Sequence, residues 1–410
     1  MYNMVLNILK NNFYTISVYT RQMTGTLVIL LIARYLSVYD FGLFSSYKSI
    51  AVFCLLFANL DYDFYILVSS KANRNEVRLK ISLFLLNAFS IIFIIAVGSL
   101  FFKIESHILF ILVLLRTFFD TTFFNLILPF FQATKKFDTI SKINIIYGLT
   151  ISCIAVFAYI NKLSLMQFLI LNICAGIINF IQCLYSSKIN FLLALTKIKR
   201  FFQMLDKTIW SFVGSSLTSY VYTQITALYV AIFLSKEQAA LFFAAFTISA
   251  LTSLFAAARI QKMLPELINK KTNEQIQILK KNCIVMIIAF AFLLLVFGLF
   301  GKHLLKLIYL KDYYKNAYFV LIILTFANAI VGIGRIFGNY IAVIGKQAIK
   351  VRIKLETSVI SVLGLLCLHK FGISGAAIVV AISSIFNTSR YILFSLKIIK
   401  INLIKENSDE

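Results

Sequence analysis

Apolar runs of about 20 residues follow one another along almost the whole chain, and each is long enough to cross a hydrocarbon core of ~30 Å as a helix. No feature narrows the choice of fold more. In lipid every backbone polar group must be paired internally, so a chain of such runs folds as a set of spanning helices. Twelve spans are predicted, near residues 12–34, 42–66, 80–101, 108–131, 140–160, 164–186, 208–234, 239–258, 282–301, 316–342, 354–369 and 373–396. The connections are short, and no soluble domain fits between them. Composition agrees. The chain has 410 residues, is 60% hydrophobic and 14% charged, against about a quarter charged in soluble domains. The expected fold class is all-α, a polytopic membrane protein.

The net charge of +24 would suit a nucleic-acid binder, but its distribution argues otherwise. Basic residues gather in short clusters between apolar runs, and no nucleic-acid-binding module accompanies them. With the N-terminus placed inside, 26 of the 40 Lys and Arg residues fall in inner loops, including Lys346, Lys350, Arg352 and Lys354 between the tenth and eleventh spans. Outer turns hold 9, and the remaining five lie within spans. This bias predicts cytoplasmic N- and C-termini. The first apolar run leads straight into a second without a cleavage site, so no signal peptide is expected. The six cysteines and three histidines show no ligand spacing; neither a metal nor a cofactor is expected.

The two halves look related. "ARYLSVYDFGLFSS" (33–46) aligns without gaps to "AIFLSKEQAALFFA" (231–244), each covering the end of a half's first span, the turn and the start of its second. Six spans separate the copies, an even number, which predicts parallel repeats: two six-helix lobes, 1–200 and 201–410, around a central cavity.

Charges inside the spans are the candidate functional residues, because a charge at mid-membrane is costly and faces protein or water. At 1.5 Å per residue, Arg21 lies about 14 Å into the first span, Lys48 about 9 Å into the second, and Arg116 and Asp120 about 12 and 18 Å into the fourth. Arg116 and Asp120 are four residues apart, so they form either a local ion pair or part of a site. Arg21 and Lys48 have no nearby opposite charge and need a partner from another helix or a ligand. Asp61 and Asp63 are interfacial caps, partners for Arg21, or coupling groups; Asp120 is also a candidate for coupling. Arg335 and Arg390 lie near inner ends, where an Arg can reach headgroup phosphates, a reading that outweighs substrate contact for both without excluding it. Tyr19, Thr20, Gln22, Tyr47, Tyr220, Tyr222 and Gln224 add hydrogen-bonding or stacking groups at similar depth.

"LIARYLSVYDFGLFSSYKSI" (31–50), "RTFFDTTFFNLILPFFQATKKF" (116–137), "GKHLLKLIYLKDYYKNAYFVLIIL" (301–324) and "KFGISGAAIVVAIS" (370–383) resemble, in order and spacing, segments of the polysaccharide and O-antigen flippases of the multidrug/oligosaccharidyl-lipid/polysaccharide exporter superfamily. The resemblance implies twelve helices in two lobes. It also implies transfer of an undecaprenyl-diphosphate-linked oligosaccharide from the inner to the outer leaflet of the bacterial inner membrane, for O-antigen, capsule or other surface polysaccharide. The implied partners are that anionic lipid-linked oligosaccharide, membrane lipid and a polysaccharide polymerase. Arg21, Lys48, Arg116, Asp120 and Gln224 are the expected substrate contacts. The chain departs from the pattern in its seventh span, "SYVYTQITALYV" (219–230), which offers Thr223, Gln224 and Thr226 where many relatives carry a charge. Its first span lacks the proline of many multidrug antiporters, which disfavours drug/cation antiport. Twelve rather than fourteen spans disfavours a peptidoglycan-precursor flippase. No outer segment is long enough to carry a polymerase's catalytic loop, so the chain is not expected to be an enzyme.

Overall fold

The computed structural model describes residues 17, 20–21, 23–59, 74–101, 104–122, 126–128, 130–131, 136–189, 207–267, 270 and 272–408. Among them are twelve helices in the predicted order: α1 Met23–Tyr35, α2 Val38–Asn59, α3 Arg74–Ser99, α4 His107–Thr117, α5 Phe137–Asn161, α6 Leu165–Ser187, α7 Lys207–Phe233, α8 Lys236–Leu267, α9 Thr272–Tyr309, α10 Tyr318–Val343, α11 Gln347–Cys367 and α12 Gly372–Ser408. Seven helical segments of the described residues are long and apolar enough to cross a membrane. The protein is an all-α polytopic membrane protein.

Serines punctuate the starts of four helices. A side-chain oxygen at the N-cap takes an orphan backbone N–H that the first helical turn cannot pair. Ser106 accepts from the Leu109 amide at 3.3 Å at the start of α4, and Ser164 forms a reciprocal capping box with Gln167 on α6. At α2, Ser37 Oγ accepts from the Asp40 amide at 3.0 Å. At α8, Ser235 Oγ accepts from the Gln238 amide at 3.3 Å. These last two are the aligned serines of the sequence repeat, and the aligned pairs Ala33 and Ala231, Leu43 and Leu241, Phe44 and Phe242 are all buried. The repeat therefore extends to local structure.

Helices overrun the apolar runs where the flanking residues form helix well. Lys, Gln and Leu are good helix formers, so α9 begins ten residues before its predicted span and α12 runs on through Lys397, Lys400 and Lys405. Likewise α11 begins at Gln347 after Gly345, whose φ of +76° suits glycine in the left-handed turn that ends a helix. Lys350 and Lys354 thus belong to a helix rather than to the predicted loop. The outer segment expected at 302–315 is also largely helical, α9 reaching Tyr309 and a short 3₁₀ helix covering Asp312–Ala317.

The chain divides into two compact units, Met1–Leu217 and Thr218–Glu410, the boundary falling inside α7. In the first, α2 packs on α3 and α4, α4 on α6, and α5 on α6; in the second, α10 packs on α8, α9 and α12, and α11 on α12. Outward faces stay apolar and exposed, as with Phe93 and Ile94 on α3, Ile178 and Ile181 on α6, and Ile288, Phe292 and Leu299 on α9. Such contiguous apolar faces belong against lipid.

Candidate functional site

In the first unit the charges converge. After Thr117, α4 widens into a π-helical turn over Phe118–Thr122, a rare winding that often marks working parts of helices because it re-aims side chains and backbone groups. Asp120 sits in this turn. Its carboxylate pairs with Arg116 Nε at 3.4 Å and accepts a short hydrogen bond from the Tyr147 hydroxyl of α5. Its backbone carbonyl accepts from Arg21 Nη2 at 2.8 Å.

Arg21 is held further from α5. Its Nη1 donates to Asn144 Oδ1 at 3.2 Å, and its guanidinium carbon lies 4.8 Å from the centre of the Tyr147 ring, within cation–π range. Asn144 in turn approaches Ser17 Oγ at 3.5 Å. Two close helix approaches make these contacts reachable. A Cβ on Gly148 would stand 3.1 Å from Thr24 Oγ1, and one on Gly176 would stand 2.6 Å from the Phe119 Cβ beside Asp120.

Arg116 is almost fully buried, at 6% exposure, with its guanidinium over the rings of Phe44 and Phe168 at 5.2 and 5.3 Å. Its Nε finds the Asp120 carboxylate as an ion-pair partner yet completes no hydrogen bond. The sequence reading left a local pair and a site as alternatives; the structure contains the pair as one edge of a larger network. Lys48 is half-buried with Arg116 and Asp120 as its charged neighbours, and it makes no hydrogen bond or ion pair to a described residue. Among the described residues the network therefore sets three cations, Arg21, Lys48 and Arg116, against the carboxylate of Asp120. Asp61, Asp63, Tyr19 and Gln22 lie outside the described residues, as do the side chains of Tyr220 and Tyr222. Tyr47, expected near a ligand, is instead buried and accepts the Ser106 amide at 3.1 Å.

Gln224 belongs to a different place. It lines a cavity of about 430 Å³ inside the second unit, with Thr223 and Thr226 beside it on α7. Asn328 and Asn339 of α10 and Asn387 of α12 add amides, and Arg335 of α10 with Lys350 and Lys354 of α11 add three cations. The sequence reading missed this basic wall because it sought the second lobe's charge in the seventh span and assigned both lysines to a loop. The signal available was spacing: Lys350 and Lys354 are one helical turn apart, and Ser361 lies seven residues on, on the same face.

Arg335 and Arg390, both weighed towards headgroup anchoring, separate. Arg335 faces this cavity. Arg390 is claimed by Glu356, donating from Nε at 3.0 Å and Nη2 at 3.1 Å, and stacks 5.0 Å from the Phe394 ring. Glu356 also accepts from Arg352 Nε at 2.9 Å, so this carboxylate serves two arginines outside the cavity wall.

No protein-family model and no curated protein matches the chain significantly. Solved structures do. The chain is similar to an inward closed structure of the lipid II flippase MurJ, with a TM-score of 0.76 and 18% identity over 94% of this chain and 87% of that one. An inward-facing multidrug-resistance MATE transporter of the MOP superfamily gives 0.68 and 12% over 93% and 95%. A MOP-superfamily transporter from Pyrococcus furiosus, titled for the reverse polarity of its binding pocket, gives 0.63 and 13% over 95% of each chain. The chain has the fold of these transporters. Among the described residues, polar chemistry is gathered within that fold in the charged network of the first unit and in the basic cavity of the second.

Proposed function

We propose that the protein is a flippase that moves an undecaprenyl-diphosphate-linked oligosaccharide across the bacterial inner membrane by alternating access, for surface-polysaccharide assembly. The observation that carries this reading is the gathering of Arg21, Lys48 and Arg116 about Asp120 among the described residues of the first unit. Cations gathered so among apolar helices are expensive unless anions share the site. A diphosphate supplies that anion, and guanidinium and ammonium groups in a low-dielectric setting attract it strongly.

The residues divide the work. Lys48, with no hydrogen-bond or ion-pair partner among the described residues, offers the first charge to the diphosphate. Arg116, with an incomplete hydrogen-bond set, offers the second. Asp120 and Tyr147 hold Arg21 and Arg116 in register, and Asp120, like Asp61 and Asp63, stays a candidate coupling group. Gln224, in the cavity of the second unit, is a candidate contact in its own right. The net positive charge disfavours cationic drugs as cargo. A peptidoglycan precursor, the cargo class named for the MurJ structure, is the second reading.

The test is a leaflet-resolved transfer assay in proteoliposomes with a fluorescent undecaprenyl-diphosphate oligosaccharide and, in parallel, a lipid II analogue. Arg21→Ala and Lys48→Ala should each insert normally and lose transfer. Wild-type rates in both variants remove the network from the transport path. Transfer of lipid II alone would move the assignment to the second reading.

A further inference from the structure

The cavity of the second unit combines cations with amides. Its cations lie on α10 and the first turns of α11, with Asn339 and Asn387 among them, whereas Asn328 lies seven residues before Arg335, about 10 Å along α10. On α11 the wall residues Lys350, Lys354 and Ser361 share one face, and Arg352 and Glu356 project elsewhere into the pair with Arg390. Glu356 is thereby engaged outside the cavity, and the described wall contains no carboxylate.

The amides have bonding capacity to spare. A carboxamide offers two donors and an acceptor. Asn328 spends one donor on Ser249 Oγ at 3.1 Å, Asn387 accepts from Thr357 at 3.5 Å, and Gln224 makes no hydrogen bond to a described residue. Ser384 and Ser361 complete a wall of small polar groups. A volume of about 430 Å³ falls in the range of small-molecule pockets, roughly 300–1,000 Å³.

We propose that this cavity is a binding site for a phosphorylated saccharide, the phosphate held by Arg335, Lys350 and Lys354 and the sugar hydroxyls by Gln224, Asn328 and Asn387. An ammonium pair one turn apart with a guanidinium facing it matches a phosphate's oxygens as charge-assisted donors. Asn328 about 10 Å further along α10, with Gln224 and Asn387 on the other helices of the wall, suits the neutral hydroxyls of an attached sugar. The proposal draws on the flippase reading for the identity of the cargo, and on this cavity alone for the binding.

The experiment uses full-length protein in nanodiscs of zwitterionic lipid, titrated calorimetrically with glucose 1-phosphate, inorganic phosphate and glucose. Glucose 1-phosphate should bind about tenfold or more tightly than either fragment, as two subsites acting together require. Lys350→Gln with Lys354→Gln should reduce its affinity to that of glucose. Gln224→Ala should move it towards that of inorganic phosphate, and thermal melting reports whether each variant is folded. Three results overturn the proposal: unchanged affinity in the folded double-lysine variant, equal affinity for phosphate and glucose 1-phosphate, or abolition of binding when the nanodiscs carry phosphatidylglycerol, which would give the cations to lipid headgroups. Binding that persists in a protein inactive in the leaflet assay would remove the flippase reading and leave this site standing.

Discussion

Asp120→Asn should cost about 3 kcal/mol of stability, and the structure says why that figure and no larger. The Arg116–Asp120 pair is separated by 3.4 Å, and Coulomb's law at an effective dielectric of ~20 makes its attraction about 5 kcal/mol. Removing one member of a buried pair strands the other and typically costs about 3–5 kcal/mol. Arg116 is 6% exposed, but Asp120 is 26% exposed, so water can reach the vacated side and the lower bound applies. The asparagine still accepts from Tyr147, and Arg21 keeps its bond because that acceptor is the main-chain carbonyl. The loss is therefore mainly that of the ion pair, with smaller shares from Arg21 and Lys48, which also feel the Asp120 charge. Adding Arg116→Met removes the stranded charge and should return stability to within about 1 kcal/mol of wild type. Unfolding in micelles of rising SDS fraction, followed by far-UV circular dichroism, reads all three proteins. A fully stable Asp120→Asn, or a double variant no better than the single one, refutes the argument.

Gly176→Ala drives a Cβ to 2.6 Å from the Phe119 Cβ, so α6 must retreat from the π turn; a loss of about 1–3 kcal/mol is expected, with transfer falling alongside melting temperature. Gly334→Ala puts a Cβ 2.4 Å from Thr388 Oγ1, and the same order of loss should appear in melts and be largely relieved by Thr388→Ala but not by Thr388→Ser. At the start of α9, the Lys270 ammonium is raised above its usual 10.5 by its hydrogen bond and attraction to Glu274, 2.8 Å away. A raised cation stabilises fully below 10.5 and loses that contribution as pH climbs through the higher folded value. A spin label at Asn273→Cys in a cysteine-free background should gain mobility above that pH, and Lys270→Gln should show no such step.

Much of the architecture could be read from the chain because lipid thickness sets helix length, so apolar runs and spans coincide. The α5 and α6 boundaries, predicted at 140–160 and 164–186, lie within three residues of Phe137–Asn161 and Leu165–Ser187. The reading failed where a helix leaves the hydrocarbon without unwinding, as at α9, α11 and the end of α12. Depth along the spans picked out Arg21, Lys48, Arg116 and Asp120, and these meet. Their neutral partners were out of reach: Tyr147 is 27 residues from Asp120 and Asn144 is 123 from Arg21, and neither stands out in an apolar helix. Counting Lys350 and Lys354 as loop charges hid the second unit's basic wall, since a lysine in the first turns of a helix looks in sequence like one just before it.

The serine caps of α2 and α8, with the same neighbours buried behind them, start the two helices in the same way. A start fixed by a hydroxyl on a backbone amide does not depend on what the rest of the helix faces. Beyond it, basic side chains are free to be arranged differently, drawn into a braced knot in one unit and ranged around a hollow in the other.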